Sequence, residues 1–240
     1  PIPNPQSPIP NPQSPITDFV LFKYNKIFIY KKMKNNFLTS LFILLSVLSL
    51  IFCQKHVPKI QVYTESLCPD CMYFINRSFK EFVEQVSKPN LADIEFIPYG
   101  NAKEKYNEET RKWEFECQHE ENECLGNLIE TCIIQKFGKV NSYKKLICIE
   151  SNIEKFDSNF ISTMEYCLNN DQDQINEINE CIKSDMGNIY QHQMAQKTGE
   201  HTHVPWIIVD GVHDSDVELQ IIESLMDYLC GSDRSKCYAE

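Results

Sequence analysis

The stretch KIQVYTESLCPDCMYFINRSFKEFVEQVSKPNLADIEFIP, residues 59–98, decides the fold. Its first six residues, Lys59–Thr64, alternate apolar and polar side chains and favour β structure, so they read as a strand. Glu65-Ser66-Leu67 turns the chain, and Cys68-Pro69-Asp70-Cys71 follows at once. Met72, Phe74, Ile75, Phe79, Phe82, Val83 and Val86 then recur at three and four, which predicts an amphipathic helix ending before Pro89. Pro69 suits the first position of that helix, where its missing N–H costs nothing. Leu91–Pro98 predicts a second strand. Two such strands in one sheet lie parallel, with the helix packed across them.

Downstream, from Asn101 to about Gly199, the chain turns polar and helical in period. Helices are expected over Cys124–Phe137, Tyr143–Glu150, Phe160–Leu168, Ile175–Lys183 and Met186–Gln196. Six cysteines (Cys117, Cys124, Cys132, Cys148, Cys167, Cys181) fall in this region, so residues 105–200 or so read as a helical insertion tied by disulfides. Val204-Pro205 then precedes a buried-strand run, Trp206–Asp210, with a turn at Gly211 and a last amphipathic helix over Val217–Leu229. Cys230 and Cys237 close the chain. Strand, helix, strand, insertion, strand, turn and helix is the order of an α/β, thioredoxin-like fold carrying a helical insertion.

Upstream, residues 1–16 repeat PIPNPQS twice and begin it a third time, a proline density that forbids helix. Met33 and Lys34 precede the apolar run Phe37–Phe52, about sixteen residues against the ~20 a membrane span needs. This is the layout of a secretory signal. We therefore expect translation from Met33, a signal peptide over 33–53, upstream residues 1–32 without structural meaning, and a mature domain over 54–240. A retained signal anchor is the alternative; after cleavage no stable membrane span remains. The mature part holds ten of the 11 cysteines, an even number that allows complete pairing in an oxidising compartment. Asn76-Arg77-Ser78 is a glycosylation sequon if the chain is exported. With 34 acidic against 23 basic residues, the chain lacks the charge of a nucleic-acid binder. The acidic runs Glu120–Glu123 and Asp171–Asp173 read as solvated charge.

Cys68 and Cys71 carry the chemistry. A thiolate attacks disulfides, and a helix N-terminus supplies unpaired N–H groups and the positive end of a dipole to stabilise it. Cys68 is expected exposed and activated there, with Cys71 one turn inside as the resolving thiol. The alternatives are a structural disulfide or a zinc site, for which His201 and His203 could complete Cys₂His₂. Val204-Pro205 is expected to be a cis pair facing the cysteines, with the Val204 backbone along a substrate peptide.

CPDC some fifty residues before Cys117-Gln118-His119…Glu123-Cys124…Asn127, with PYGNAK (98–103) between and VPW (204–206) after, resembles the gamma-interferon-inducible lysosomal thiol reductase (GILT) family over roughly residues 59–232. The resemblance implies a soluble thioredoxin-like enzyme that reduces protein disulfides at acid pH in endosomes and lysosomes. By motif, Cys68 and Cys71 take the active pair, and Cys117, Gln118, His119 and Cys124 the family signature, with the two signature cysteines structural. Disulfide-containing proteins are the implied substrates and an external thiol the reductant; sulfur carries the electrons, so no cofactor is required. The pairing of the other eight mature cysteines stays open, as do two other functions: a secretory-pathway oxidase or isomerase, and a non-enzymatic binding module with a locked CPDC.

Acid pH sets a demanding condition. A thiol with a pKa of about 8.5 is roughly 0.03% ionised at pH 5. Lowering that pKa by three units takes about 4 kcal/mol, and a helix dipole supplies ~2 kcal/mol at most. Hydrogen bonds from backbone N–H groups and the Cys71 thiol must add the rest, and an ionised Asp70 would oppose them. One departure from the family stands out: Glu120 occupies a position where the family has Gly. If that position needs positive φ, Glu is strained there.

Overall fold

The computed structural model describes residues 56–85, 91–231 and 233–237. The repeat at 1–16, the signal expected over 33–53 and the bound of the mature chain at residue 54 lie outside them. Among the described residues no helix is long and apolar enough to cross a membrane.

Strand β1 (Lys59–Thr64) is the hub of a four-stranded sheet. It pairs in parallel with β2 (Asp93–Pro98), Val62 opposite Phe96, and antiparallel with β5 (Trp206–Val209), which turns at Gly211 into β6 (Val212–His213). The β1–β2 connection begins with α1 (Pro69–Phe74), widens into a π-helical turn over Ile75–Phe79, and continues as α2 (Lys80–Gln85). The wide turn departs from the single regular helix expected, and it buries Ile75, Ser78 and Phe79 together. Ser78 Oγ donates to the Ile221 carbonyl (2.6 Å) and accepts from Leu225 N–H (2.7 Å), bridging the last helix, α8 (Ser215–Cys230), where Ser224 breaks its helical geometry.

The region between β2 and β5 contains α3 (Glu120–Phe137), α4 (Lys139–Asn152), α5 (Phe160–Cys167), α6 (Gln172–Lys183) and α7 (Asp185–Lys197). Its opening corrects the expectation of helix from Asn101 onward. Lys103–Asn107 (β3) and Lys112–Glu116 (β4) form an antiparallel hairpin with Tyr106 opposite Trp113. β4 alternates in period two, and the ring pair, at 5.2 Å between centroids, sits where aromatic cross-strand pairs stabilise sheets. Asn159, Asp171, Ser184 and Asp214 cap α5, α6, α7 and α8 by accepting backbone N–H bonds, each typically worth ~1 kcal/mol.

The eight cysteines left open by the sequence are all paired. Cys132–Cys181 ties α3 to α6 and Cys148–Cys167 ties α4 to α5, with Cα atoms 6.0 and 5.6 Å apart. Cys117–Cys124 straps β4 to the start of α3, and Cys230–Cys237 holds the 3₁₀ turn Arg234–Cys237 against α8. This is a thioredoxin-like α/β fold with a disulfide-tied helical insertion.

Alternation along β1 divides the core. Ile60 and Val62 face a large cluster with Phe74, Phe79, Phe96, Ile129 and Leu146. Phe79 lies at its centre, 4.7 Å from the Phe96 ring and 5.0 Å from Tyr143, so Phe79→Ala should cost about 3–5 kcal/mol. Tyr63 faces a smaller cluster with Ile97, Tyr99, Met194 and Val204, and that cluster contains Cys68 and Cys71.

Candidate active site

Proline at the first position of α1 leaves Cys68 as its N-cap, with extended backbone (φ −74°, ψ 119°). Its Sγ accepts Cys71 N–H at 3.4 Å, and its thiol reaches the Val204 carbonyl at 3.7 Å. The Val204-Pro205 peptide bond is cis, so the chain stretch expected to face the cysteines does so. Cys68 and Cys71 are the free cysteines among the described residues.

Exposure corrects one expectation. Cys68 is not open to solvent but only 7% exposed, against 0% for Cys71, because Val204 and the neighbouring apolar side chains close over it. The two sulfurs are nevertheless held in opposite states. The Cys71 thiol, donating to Cys68, pulls the Cys68 pKa below its ordinary value against the cost of burial, helped by the N–H groups of Cys71 and Asp70. Burial pushes the Cys71 thiol well up, and its bond to Cys68 pushes the same way. The carboxylate that opposes the Cys68 thiolate is Glu65, not Asp70, whose side chain is exposed.

Glu65 is 3% exposed and accepts from Asn101 through both backbone N–H (2.8 Å) and Nδ2 (3.1 Å). Gly100, at φ +57°, lets the chain pass against it; a Cβ there would collide with the Glu65 side chain. Burial raises the Glu65 pKa, the Asn101 N–H restrains that rise and Glu123 adds to it. His119 completes the cluster, its Nδ1 2.8 Å from Glu123 Oε2 and 3.9 Å from Glu65 Oε1. Ligand atoms of Glu65, His119 and Glu123 lie within 4.8 Å of one another, the one grouping among the described residues with the makings of a cation site. Glu65 Oε2 is engaged by Asn101 and Glu123 Oε2 by His119, while Glu123 Oε1 is buried without a hydrogen-bond partner.

The signature loop therefore meets the cysteine loop. Asn101 Nδ2 donates to Gln118 Oε1 (2.9 Å), and Ser66 N–H donates to Asn127 Oδ1 (2.8 Å). Gly126 lies so close to Ser66 and Phe160 that a Cβ would come within 2.6 Å of Ser66. Glu120 has φ +64°, so the residue that departs from the family Gly does stand in the left-handed region. Glu123 is fully buried, which corrects the view of Glu120–Glu123 as solvated charge.

The four groups of the zinc alternative do not converge. His203 Nε2 is 2.6 Å from Glu218 Oε1, and His201 Nδ1 is 2.8 Å from the Gly199 carbonyl. His201 instead borders an open groove of about 890 Å³, lined also by Thr198, Gly199, Glu200, Thr202 and Trp206, the residue after Pro205. Asn76 is half-buried: Nδ2 donates to the Glu150 carbonyl (2.9 Å) and Oδ1 accepts from Ser151 Oγ (2.6 Å), leaving one amide hydrogen for a glycan. Sequence reasoning passed over Glu65, Glu123, Glu130 and Glu150. The available signal was carboxylates at core-facing spacing: Glu123, Asn127 and Glu130 recur at four and three on α3.

A family model described as gamma interferon inducible lysosomal thiol reductase (GILT) matches residues 59–185, spanning both the cysteine pair and the signature loop. A Carassius auratus protein named gamma-interferon-inducible lysosomal thiol reductase is 33% identical over 175 residues, 71% of this chain and 66% of its own length. A Mus musculus protein of the same name is 32% identical over 160 residues, 63% of this chain and 60% of its own. An Arabidopsis thaliana gamma-interferon-responsive lysosomal thiol protein is 27% identical over 183 residues, 74% of this chain and 72% of its own. The chain thus spans a little under two thirds of the length of the first two. On the family match and the identities, the chain belongs to the gamma interferon inducible lysosomal thiol reductase family.

Proposed function

We propose that the chain is a thiol-disulfide oxidoreductase that reduces disulfides of protein substrates in the acidic part of the secretory and endolysosomal pathway. The observation that carries this reading is the asymmetry of two free cysteines in a chain whose other described cysteines are all bonded: Cys68 caps a helix with its pKa lowered, and Cys71 stays a thiol. The relatives' names and the four disulfides, which form in oxidising compartments, support the assignment.

In this reaction Cys68 thiolate attacks one sulfur of a substrate disulfide held along Val204-Pro205. A mixed disulfide forms and the first substrate sulfur leaves with the electron pair. Cys71 then attacks Cys68 Sγ, releasing the second substrate sulfur and leaving Cys68–Cys71 oxidised. An external thiol resets the pair. The elements are all supplied by the chain and a thiol, so the mechanism draws on no cofactor.

Insulin reduction by the exported protein across pH 4–8, beside Cys68→Ser, is the test. Turnover that vanishes in the variant supports the reading; equal turnover removes Cys68 from the mechanism. The closure over Cys68 is the one observation favouring a locked, non-enzymatic module, and failure of the wild type at every pH would establish that alternative. A Cys68/Cys71 reduction potential near −120 mV would mark an oxidase, and a value well below it a reductase.

A further inference from the structure

The Val204-Pro205 pair that covers Cys68 lies in a segment without regular structure. Residues 198–205 form neither helix nor strand. Among the described residues, no backbone–backbone hydrogen bond outside the helices and strands holds 199–205. Proline adds no N–H of its own. Yet Val204 and Pro205 are both buried, and the Val204 carbonyl stands 3.7 Å from Cys68 Sγ. Side chains must therefore fix the pair in place.

Those side chains come from β6 and α8. Strand β6 is two residues long and pairs only with Ile208 and Val209 of β5. At Ile207 side chains take over: Glu218 Oε2 accepts the Ile207 N–H at 2.8 Å, and His213 Nδ1 donates to the Ile207 carbonyl at 3.0 Å. The same carboxylate, through Oε1, takes His203 Nε2 at 2.6 Å, one residue before Val204. Glu218 is 5% exposed and sits in the first turn of α8, its own N–H donating to the Asp214 carbonyl at 2.8 Å. His213 stacks on the Trp206 ring at 3.5 Å, and His203 meets that ring edge-on at 4.9 Å. One buried carboxylate thus grips the chain on both sides of the cis pair. Hydrogen bonds to a charged group are roughly twice as strong as neutral ones, and a buried N–H left without an acceptor is costly.

Resting on the oxidoreductase reading, we propose that Glu218 is a positioning residue for disulfide reduction. Through His203 and Ile207 it clamps the cis-proline segment, presetting the Val204 backbone for a substrate peptide and keeping Cys68 covered in its absence. It acts through these two partners and takes no part in the electron transfer. The two tasks pull a variant in opposite directions. A loosened segment has to be ordered by the incoming protein disulfide, so KM rises. The same loosening uncovers Cys68, so a small reagent reaches it faster. General destabilisation has a different signature, because it bares Cys71 along with Cys68.

The test compares wild type, Glu218→Ala and Glu218→Gln in insulin reduction and in iodoacetamide labelling of the reduced full chain. For Glu218→Ala the KM for insulin should rise about tenfold, the factor a hydrogen bond to a charged group carries, with kcat within about threefold. Cys68 labelling should quicken about threefold or more while Cys71 labelling keeps its wild-type rate. Glutamine keeps an acceptor for the Ile207 N–H and an N–H for His203, whose Nδ1 can then donate to Thr202 Oγ1 at 3.1 Å. Glu218→Gln should therefore recover most of both effects. KM and Cys68 labelling both within about twofold of wild type overturn the proposal, as does labelling that rises equally at Cys68 and Cys71. Should Glu218→Ala not fold, His203→Phe decides: the residue is exposed, a ring stays against Trp206, and the Glu218 contact is lost. The same opposite shifts, about threefold each, are expected there, and their absence overturns the clamp. A wild type that reduces no insulin defeats the oxidoreductase reading; labelling, which needs no turnover, then decides the clamp alone.

Discussion

Two helix N-termini meet at Glu65, and they spend their polarity differently. At α1 the acceptor is sulfur: Cys68 takes the Cys71 N–H, and proline removes a competing donor. At α3 the acceptors are carboxylates: Glu123 Oε2 takes the His119 N–H at 2.6 Å, Glu120 and Glu121 share the first turn, and Cys124 is locked to Cys117. The same electrostatics that lowers a thiol pKa at one end anchors a strap at the other. A helix start produces reactive sulfur only where no better anion fills it and no second cysteine closes on it.

The largest expected contrast is in labelling. With reduced protein at pH 6, iodoacetamide should modify Cys68 at least ~100-fold faster than Cys71, since one thiol pKa is lowered and the other raised well above its ordinary value. Mass spectrometry of the two peptides checks this, and comparable rates would erase the asymmetry.

Next is stability against pH. Glu65, Glu130 and Glu150 all have raised folded-state pKa values, so their neutral forms are favoured by folding. That contribution is complete below the unfolded value of 4.5 and is lost as pH rises to about 7 for Glu150. At ~1.4 kcal/mol per unit, the loss from this residue alone is of the order of 3 kcal/mol. Thermal unfolding should therefore give a higher Tm at pH 5 than at pH 8, and Glu130→Gln/Glu150→Gln should flatten the trend. A Tm that climbs with pH across this window contradicts the buried acids.

Removing the strap with Cys117→Ala/Cys124→Ala should cost about 2–3 kcal/mol by loop entropy. Cys68 labelling should survive it; if labelling is lost, the two helix starts are not independent. Glu65→Gln removes the negative charge opposing the Cys68 thiolate, so labelling at pH 6 should quicken by about two- to fivefold. Smallest is Glu120→Gly, which relieves a side chain held at φ +64° and should raise stability by up to ~1 kcal/mol, seen as a small rise in Tm.

Much of this was legible in residues 59–98, where period-two and period-three-to-four patterns switch cleanly around CPDC. β1 spans the residues read for it, and β2 begins two residues late. Helix starts were read late, Gln172 as Ile175 and Ser215 as Val217, because periodicity begins at the first apolar residue while Asp171 and Asp214 cap ahead of it. The β3–β4 hairpin is hard to read because KEKYN and KWEFE are mostly charged, and only KWEFE alternates, in an exposed ribbon with no deep core face. The burial of Cys68 was illegible for another reason: Val204 closes over it from 136 residues away. The buried carboxyl groups were hidden by the usual rule that acids face water, which fails where acids can keep their protons.

Gly126 carries a last consequence. With Ser66 on one side and Phe160 on the other, position 126 is a contact point of backbone on neighbouring chain with no slack. A single methyl there would act as a wedge, prising the third helix away from the turn that leads into sulfur 68. The turn before Cys68 is thus seated against the insertion by the lack of one carbon atom, at a position well downstream of Cys68 and Cys71 in the sequence.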